Sequence, residues 1–363
     1  MFESGSGSFA GRNSGGNRLA ISSGCSTHLL INVLLMTDFT DNNPTQSLPG
    51  EDCGAFVISL DFELAWGTRG RPAASKVGPY LDGARDAIRD MLDLFEEFNV
   101  SATWATVGAL LMAQPGAQRR HRMITASRFD DIPAGDHLSA PNWYAEDILD
   151  QILNCPVPQE IGCHTLTHLY VNTQAEGREE LADELDLFLE LFEELRLPRP
   201  RSFVFPKAYQ AHFDLLAERD FYAYRGPEDR WYESLPGTLP AAGIRLADSV
   251  AGFTPRVRHC EHHSRNLWMI PASQFYSPFM GVGQYVPLQS RVRKAVNGLN
   301  HAARHGGVYH LWTHPFNMGY RTEGLLLGLR QILEHAAKLR DAGCLTIQTM
   351  TSQASVQSCR KAA

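Results

Sequence analysis

Apolar positions begin to repeat only after residue 54. Phe56-Val57-Ile58-Ser59-Leu60 is a near-continuous apolar run, the pattern of a strand buried on both faces of a parallel sheet. Leu81, Ala84, Ile88, Met91, Phe95 and Phe98 follow at three- and four-residue spacing, which predicts an amphipathic helix. Ser101–Val107 reads as the next strand and Glu160–Cys163 as another. Leu181, Leu185, Phe188, Phe192 and Leu195 mark a second helix, and Ser202–Phe205 a further strand. Later segments predict a strand at Leu267–Ile270, a helix near 290–304, a strand at Val308–Trp312, a helix over 322–341 and a strand at Leu345–Ile347. This alternation predicts an α/β fold of parallel strands with outer helices, and the strand count favours a closed or nearly closed barrel. Residues 115–145 and 226–266 read as insertions between core elements.

Upstream the pattern is absent. Residues 1–26 hold six Gly and seven Ser, a composition that cannot offset its ordering entropy. Residues 1–50 are therefore expected to form a disordered tail and 51–355 the folded domain. The 363 residues carry 33 basic and 40 acidic side chains, a net charge of −7. That balance excludes the basic face of a nucleic-acid binder. Seven scattered cysteines without a Cys-x-x-Cys pair predict neither a disulfide scaffold nor a thiolate zinc site. The longest early apolar run is far short of the ~20 residues of a membrane span, and the Met-Phe-Glu-Ser start lacks the basic region of a secretory signal. A cytoplasmic protein without a transmembrane segment is the expectation; the oligomeric state is not legible.

Fourteen histidines would give ~0.5 His-x-x-x-His pair by chance, yet the chain has four. His301/His305 precedes Gly306-Gly307, an ordinary helix end. His259-Cys260-Glu261-His262-His263 lies in a polar insertion and reads as a solvated loop. His310, Trp312 and His314 share one face at a period of two. His164/His168 has the strongest setting, because it follows a short strand at the end where α/β folds build sites. On a helical turn both imidazoles would reach one metal. Asp61 and Glu63, just beyond the first strand, point the same way and offer a carboxylate as third ligand, since two buried carboxylates are costly unless employed.

Together, Ser59-Leu60-Asp61-Phe62-Glu63, His164-Thr165-Leu166-Thr167-His168, Phe205-Pro206 and Leu311-Trp312-Thr313-His314-Pro315 resemble the motifs of the polysaccharide deacetylase family (the NodB-homology, carbohydrate esterase family 4 group) in the family's order over residues 55–350. The resemblance implies a distorted (β/α) barrel, a divalent metal and removal of N- or O-acetyl groups from a polysaccharide or glycan precursor. It implies Zn2+ first, with Co2+, Ni2+ or Mn2+ as alternatives. Glu63, His164 and His168 would be ligands, Asp61 the general base and His314 the general acid. The family's third motif, Arg-x-Pro-Tyr, is replaced by Val204-Phe205-Pro206-Lys207. Arg225 is the candidate brace for Asp61, Lys207 a candidate substrate contact, and Tyr209 a candidate donor to the oxyanion. Trp66 and Trp312 are the tryptophans placed to wall a sugar site. An allantoinase-like amidohydrolase of small amides and a non-catalytic sugar- or metal-binding barrel remain the alternatives.

Overall fold

The computed structural model describes residues 53–69, 77–113, 129, 131–234 and 241–362, and the expected tail lies outside them. In chain order the elements are β1 (Gly54–Phe62), α1 (Gly78–Asp82), α2 (Ala84–Glu97), β2 (Thr103–Thr106), α3 (Glu146–Leu153), β3 (Glu160–Cys163), α4 (Ala175–Glu194), β4 (Ser202–Phe203), α5 (Phe213–Glu218) and β5 (Ala223–Glu228). They continue with α6 (Ala241–Ala251), β6 (Glu261–Ser264), β7 (Leu267–Ala272), β8 (Gln274–Phe275), α7 (Leu288–His305), β9 (Val308–Thr313), α8 (Thr322–Asp341), β10 (Leu345–Gln348) and α9 (Met350–Ala362). The sheet order is β6-β7-β5-β4-β3-β2-β1-β9-β8, with β10 beside β1. Every pairing except β6 with β7 is parallel. β7 pairs with β5 and β8 with β9, and only Ser273 separates them in the chain. One stretch of backbone thus changes partners from one side of the sheet to the other, giving the distorted barrel the sequence predicts.

β1 shows why it is central. Its outward side chains, Phe56, Ile58, Leu60 and Phe62, join the large core beneath the helices, while inward-facing Ala55 and Val57 pack in a second cluster with Met350 and Ala354 of α9. Full burial of each large apolar side chain stabilises by about 1.5–3 kcal/mol. The run is continuous in the sequence because both faces are dry. α2 turns Ala84, Ala87, Ile88 and Met91 to the same core. In the segment expected to be a solvated loop, Glu261–Ser264 instead forms an exposed antiparallel edge strand on β7. Its backbone finds ladder partners there while its side chains stay wet.

Further along β1 the barrel interior becomes polar. The Oγ of Ser59 lies 2.8 Å from His310 Nε2 and 3.0 Å from Arg225 Nη1. A guanidinium can only donate, so Ser59 Oγ accepts from Arg225, with His310 Nε2 as its second hydrogen-bond partner. Burial, and next the charge of Arg225, push His310 down from its ordinary 6.5 to about 3.

Between pH 6.5 and about 3 the unfolded chain holds a proton on His310 that the folded chain refuses, so stability falls as pH falls through that window. The loss attributable to this one imidazole is expected to reach about 2 kcal/mol by pH 5. Thermal melts of the wild type and His310→Gln between pH 7.5 and 5 check this. The variant should lose several degrees less than the wild type on acidification, and parallel curves would contradict the assignment.

Candidate active site

The parallel strands deliver their carboxyl ends to one rim. Glu63 directly follows β1 and leads into a short 3-10 turn, Leu64–Thr68, through a left-handed Leu64 with φ of 43°. A Cβ on Gly67 would lie 1.8 Å from Glu63 Oε1. Only glycine lets that turn close over the carboxylate. His164 directly follows β3, and its Nδ1 donates to the Val204 carbonyl at 2.7 Å. The bond fixes the tautomer and leaves the Nε2 lone pair free for a metal.

Glu63, His164 and His168 are buried, and one ligand atom from each lies within 4.8 Å of the others. His168 Nε2 is 2.8 Å and His164 Nε2 3.3 Å from Glu63 Oε2. Glu63 Oε1 is buried without a hydrogen-bond partner, a costly condition for a carboxylate oxygen. Burial raises the Glu63 carboxyl, but the neighbouring imidazoles of His314, His168 and His164 hold it well below its ordinary value. Two imidazoles and a carboxylate with an orphaned oxygen are a donor set suited to a divalent ion, and three protein ligands leave coordination positions open.

The two histidines do not meet on a helical turn, as their spacing predicts. Residues 164–169 form an irregular bend with left-handed Thr165 (φ 62°) and His168 (φ 60°). The bend wins because neighbouring elements take its polar groups. Gly108 N–H donates to Thr165 O at 3.1 Å and Ala109 N–H to Leu166 O at 2.8 Å. The buried Glu184 carboxylate on α4 accepts from Thr167 N–H at 2.7 Å and from its hydroxyl at 2.6 Å.

Asp61 and Arg225 form a buried bidentate pair at 2.6 and 2.8 Å. Burial raises the Asp61 carboxyl, yet the charge and hydrogen bonds of Arg225 outweigh it and lower the pKa below the ordinary value. The Trp312 ring lies 4.3 Å from the Arg225 guanidinium, in cation–π range. His314 places Nε2 3.7 Å from Asp61 Oδ2 and 3.5 Å from Glu63 Oε1. Asn317 Nδ2 lies 3.2 Å from His314 Nδ1. A donor there leaves the imidazole proton on Nε2, facing both carboxylates.

Other expected contacts fall elsewhere. Trp66 is 1 % exposed, its Nε1–H donates to Trp143 O, and its ring packs on Phe129 and Trp143. It is core packing with no face open to a sugar, which corrects the expectation. Lys207, with φ of 54°, sets Nζ 3.7 Å from the Tyr170 ring, and Tyr170 packs on His168. Tyr209 is exposed, and among the described residues no hydrogen bond or ring contact joins it to the cluster. Glu184 and Asn317 escape the sequence reading. A carboxylate inside the apolar stripe of Leu181, Leu185 and Phe188 was the signal for the first, and an amide three residues after His314 in a Pro-led turn was the signal for the second.

No protein-family model matches the sequence, and no curated protein matches it. Among solved structures, one from Mycobacterium smegmatis has a TM-score of 0.56 and 17 % identity, covering 87 % of this chain and 94 % of the other. One from Pseudomonas aeruginosa PAO1 has 0.54 and 13 %, covering 88 % and 95 %. Both are provisionally assigned as polysaccharide deacetylases. The allantoinase PuuE gives 0.54 and 13 %, covering 89 % and 98 %. The chain has the polysaccharide deacetylase fold. Among the described residues no helix is long and apolar enough to cross a membrane.

Because Gly67 closes on Glu63, Gly67→Ala is expected to displace the carboxylate and weaken divalent-metal binding, probed with zinc, by about 10–100-fold, the usual cost of disturbing a ligand's support. Competition with a chromophoric chelator measures it. Unchanged zinc affinity in a folded variant would contradict the geometry.

Proposed function

We propose that the protein is a metal-dependent hydrolase that removes an N- or O-acetyl group from a glycan or glycan precursor, with zinc at Glu63, His164 and His168. The observation that carries this reading is the placement of His314 Nε2 3.5 Å from Glu63 of the donor set and 3.7 Å from Asp61, with Asp61 held by Arg225 and His314 by Asn317. The family resemblance of the motifs and the fold of the two deacetylase-assigned relatives support it. When bound, the ion supplies Lewis acidity toward an acyl carbonyl and a water.

The chain's own residues do the rest. Arg225 keeps Asp61 ionised, so its carboxylate is ready to take a proton from the attacking water. The bidentate grip also fixes the direction of the carboxylate lone pairs. As water adds to the acyl carbon and the C–N or C–O bond breaks, His314 delivers the Nε2 proton to the departing amine or alcohol. Acetate and the free amine or alcohol are the products. Arg225, coming from β5, here does the bracing that the resemblance assigns to the missing arginine of the third motif. Trp312 covers the guanidinium face and shields the pair from water, which strengthens it.

A second reading, hydrolysis of a small amide of the allantoinase type, is favoured by one observation. The space beside His314 is a cavity of about 490 Å³, within the ~300–1,000 Å³ of small-molecule sites. Both readings use the same metal site, with Asp61 as base and His314 as acid.

Acetate release from N-acetylglucosamine and its oligomers, with and without chelator, tests the first reading. Asp61→Asn and His314→Gln are each expected to lower kcat by about 10²–10⁴-fold, the contribution of a positioned acid or base. Arg225→Lys, which breaks the two-point grip, should lower kcat with little change in KM. Full turnover by Asp61→Asn or by chelated enzyme would contradict the mechanism. Turnover of small cyclic amides without acetate release would favour the second reading.

A further inference from the structure

The cavity beside His314 has a chemical character of its own. It is bounded by the loop of Ser277–Val286, by α6 and by the base of α7. Much of its wall is apolar, through Phe275, Met280, Val282 and Phe316, and His314 and Asn317 also line it. Four cationic side chains reach it against two carboxylates. Two of the cations are accounted for. Arg230 pairs with Glu228 at 3.2 Å, and Lys294 with the buried Asp248.

The other two meet no carboxylate among the described residues. Arg291 is 3 % exposed, and its guanidinium donates to the carbonyls of Ser277, Pro278, Gly283 and Val286. Those bonds shape the loop but leave the charge uncancelled, and burial lowers its pKa, as expected for a guanidinium held in a dry wall. Arg245 stands exposed on α6 beside the Tyr232 hydroxyl. A surplus of two positive charges thus faces a half-enclosed apolar space in a chain whose net charge is −7. Low-dielectric walls focus such a field.

We propose that this cavity binds the part of the substrate that flanks the scissile acyl group, and that it selects a small acylated amine or alcohol bearing an oxyanion, a carboxylate or a phosphate, held by Arg245 in the field of Arg291. This rests on the hydrolase reading for the position of the acyl group at His314. It narrows that reading from a polymer lying across an open rim to a molecule of one or two sugar units seated in a pocket. The apolar wall takes the body of the ligand, and the guanidinium supplies a paired donor matched to an oxyanion. Arg245, on α6, is a specificity residue and not one of the proton-transferring groups.

Tryptophan-fluorescence titration of the full chain in chelator, where nothing is turned over and no metal attracts the anion, tests the proposal. The probes are N-acetylglucosamine, its 6-phosphate, N-acetylmuramic acid as the carboxylate, and the pentamer of N-acetylglucosamine. The 6-phosphate or the carboxylate should bind about tenfold tighter than the neutral sugar, as one charge-assisted contact gives, and the two anions separate the phosphate source from the carboxylate source. Arg245→Gln should remove most of that preference, and so should raising the salt concentration. Equal affinity for charged and neutral sugars, a preference untouched by Arg245→Gln, or tightest binding of the pentamer would each overturn it. Acetate release measured in parallel on the metal-loaded enzyme separates the two claims. Release from neutral sugars without an anion preference overturns the pocket assignment and leaves the hydrolase reading standing. Anion-selective binding without release from any probe supports the pocket and counts against the hydrolase reading.

Discussion

The ion pair between Arg225 and Asp61 is the constraint on which the site depends. Its partners come from β5 and β1, with β2, β3 and β4 between them in the sheet, so the contact ties one side of the barrel to the other across its interior. Removing two charges from water costs several kcal/mol per ion, and the attraction offsets this only with good geometry and satisfied remaining donors. The geometry is good, and three of the five guanidinium N–H groups have acceptors. The grip is bidentate, a further bond goes from Arg225 to Ser59, and Trp312 closes the guanidinium face. Loss of either partner alone would strand a buried charge at a cost of about 3–5 kcal/mol. The pair therefore sets both the rigidity of the interior and the ionisation of Asp61.

Its placement follows from a gradient along β1. Ala55 and Val57 seal the floor with α9. Ser59 begins the polar layer, Asp61 carries the charge, and Glu63 reaches the donor cluster at the rim. A period of two places all five on the inner face. The same strand supplies packing, support and chemistry in sequence order. His310 belongs to the support: held neutral by burial and Arg225, it hydrogen-bonds Ser59, whose oxygen also accepts from Arg225.

Much of this was legible from residues alone. The apolar run of β1, the stripes of α2 and α4 and the alternation of strands with helices carry the fold class because burial requires those periods. Asp61, Glu63, His164, His168 and His314 stand out because their types and positions after strands match metal and acid–base chemistry, and the fold brings them together. What stayed hidden depends on tertiary contacts. The bend at 164–169 overrides a helical spacing because Glu184 and residues 108–109 claim its polar groups. Trp66 looked like a wall to a site but is enclosed by Phe129 and Trp143. The need for glycine at 67 appears only when Glu63 is seen to fold back against it. The cavity beside His314 arises from segments far apart in the chain, which no local pattern connects.

The central claim, that Glu63, His164 and His168 form a metal centre flanked by an acid and a base, is tested most directly by anomalous diffraction at the zinc edge from crystals grown with zinc. A single strong peak is expected within bonding distance of Glu63 and the Nε2 atoms of both histidines, about 2.0–2.2 Å as for zinc generally. A fully occupied peak elsewhere, or none at these three residues, would contradict it.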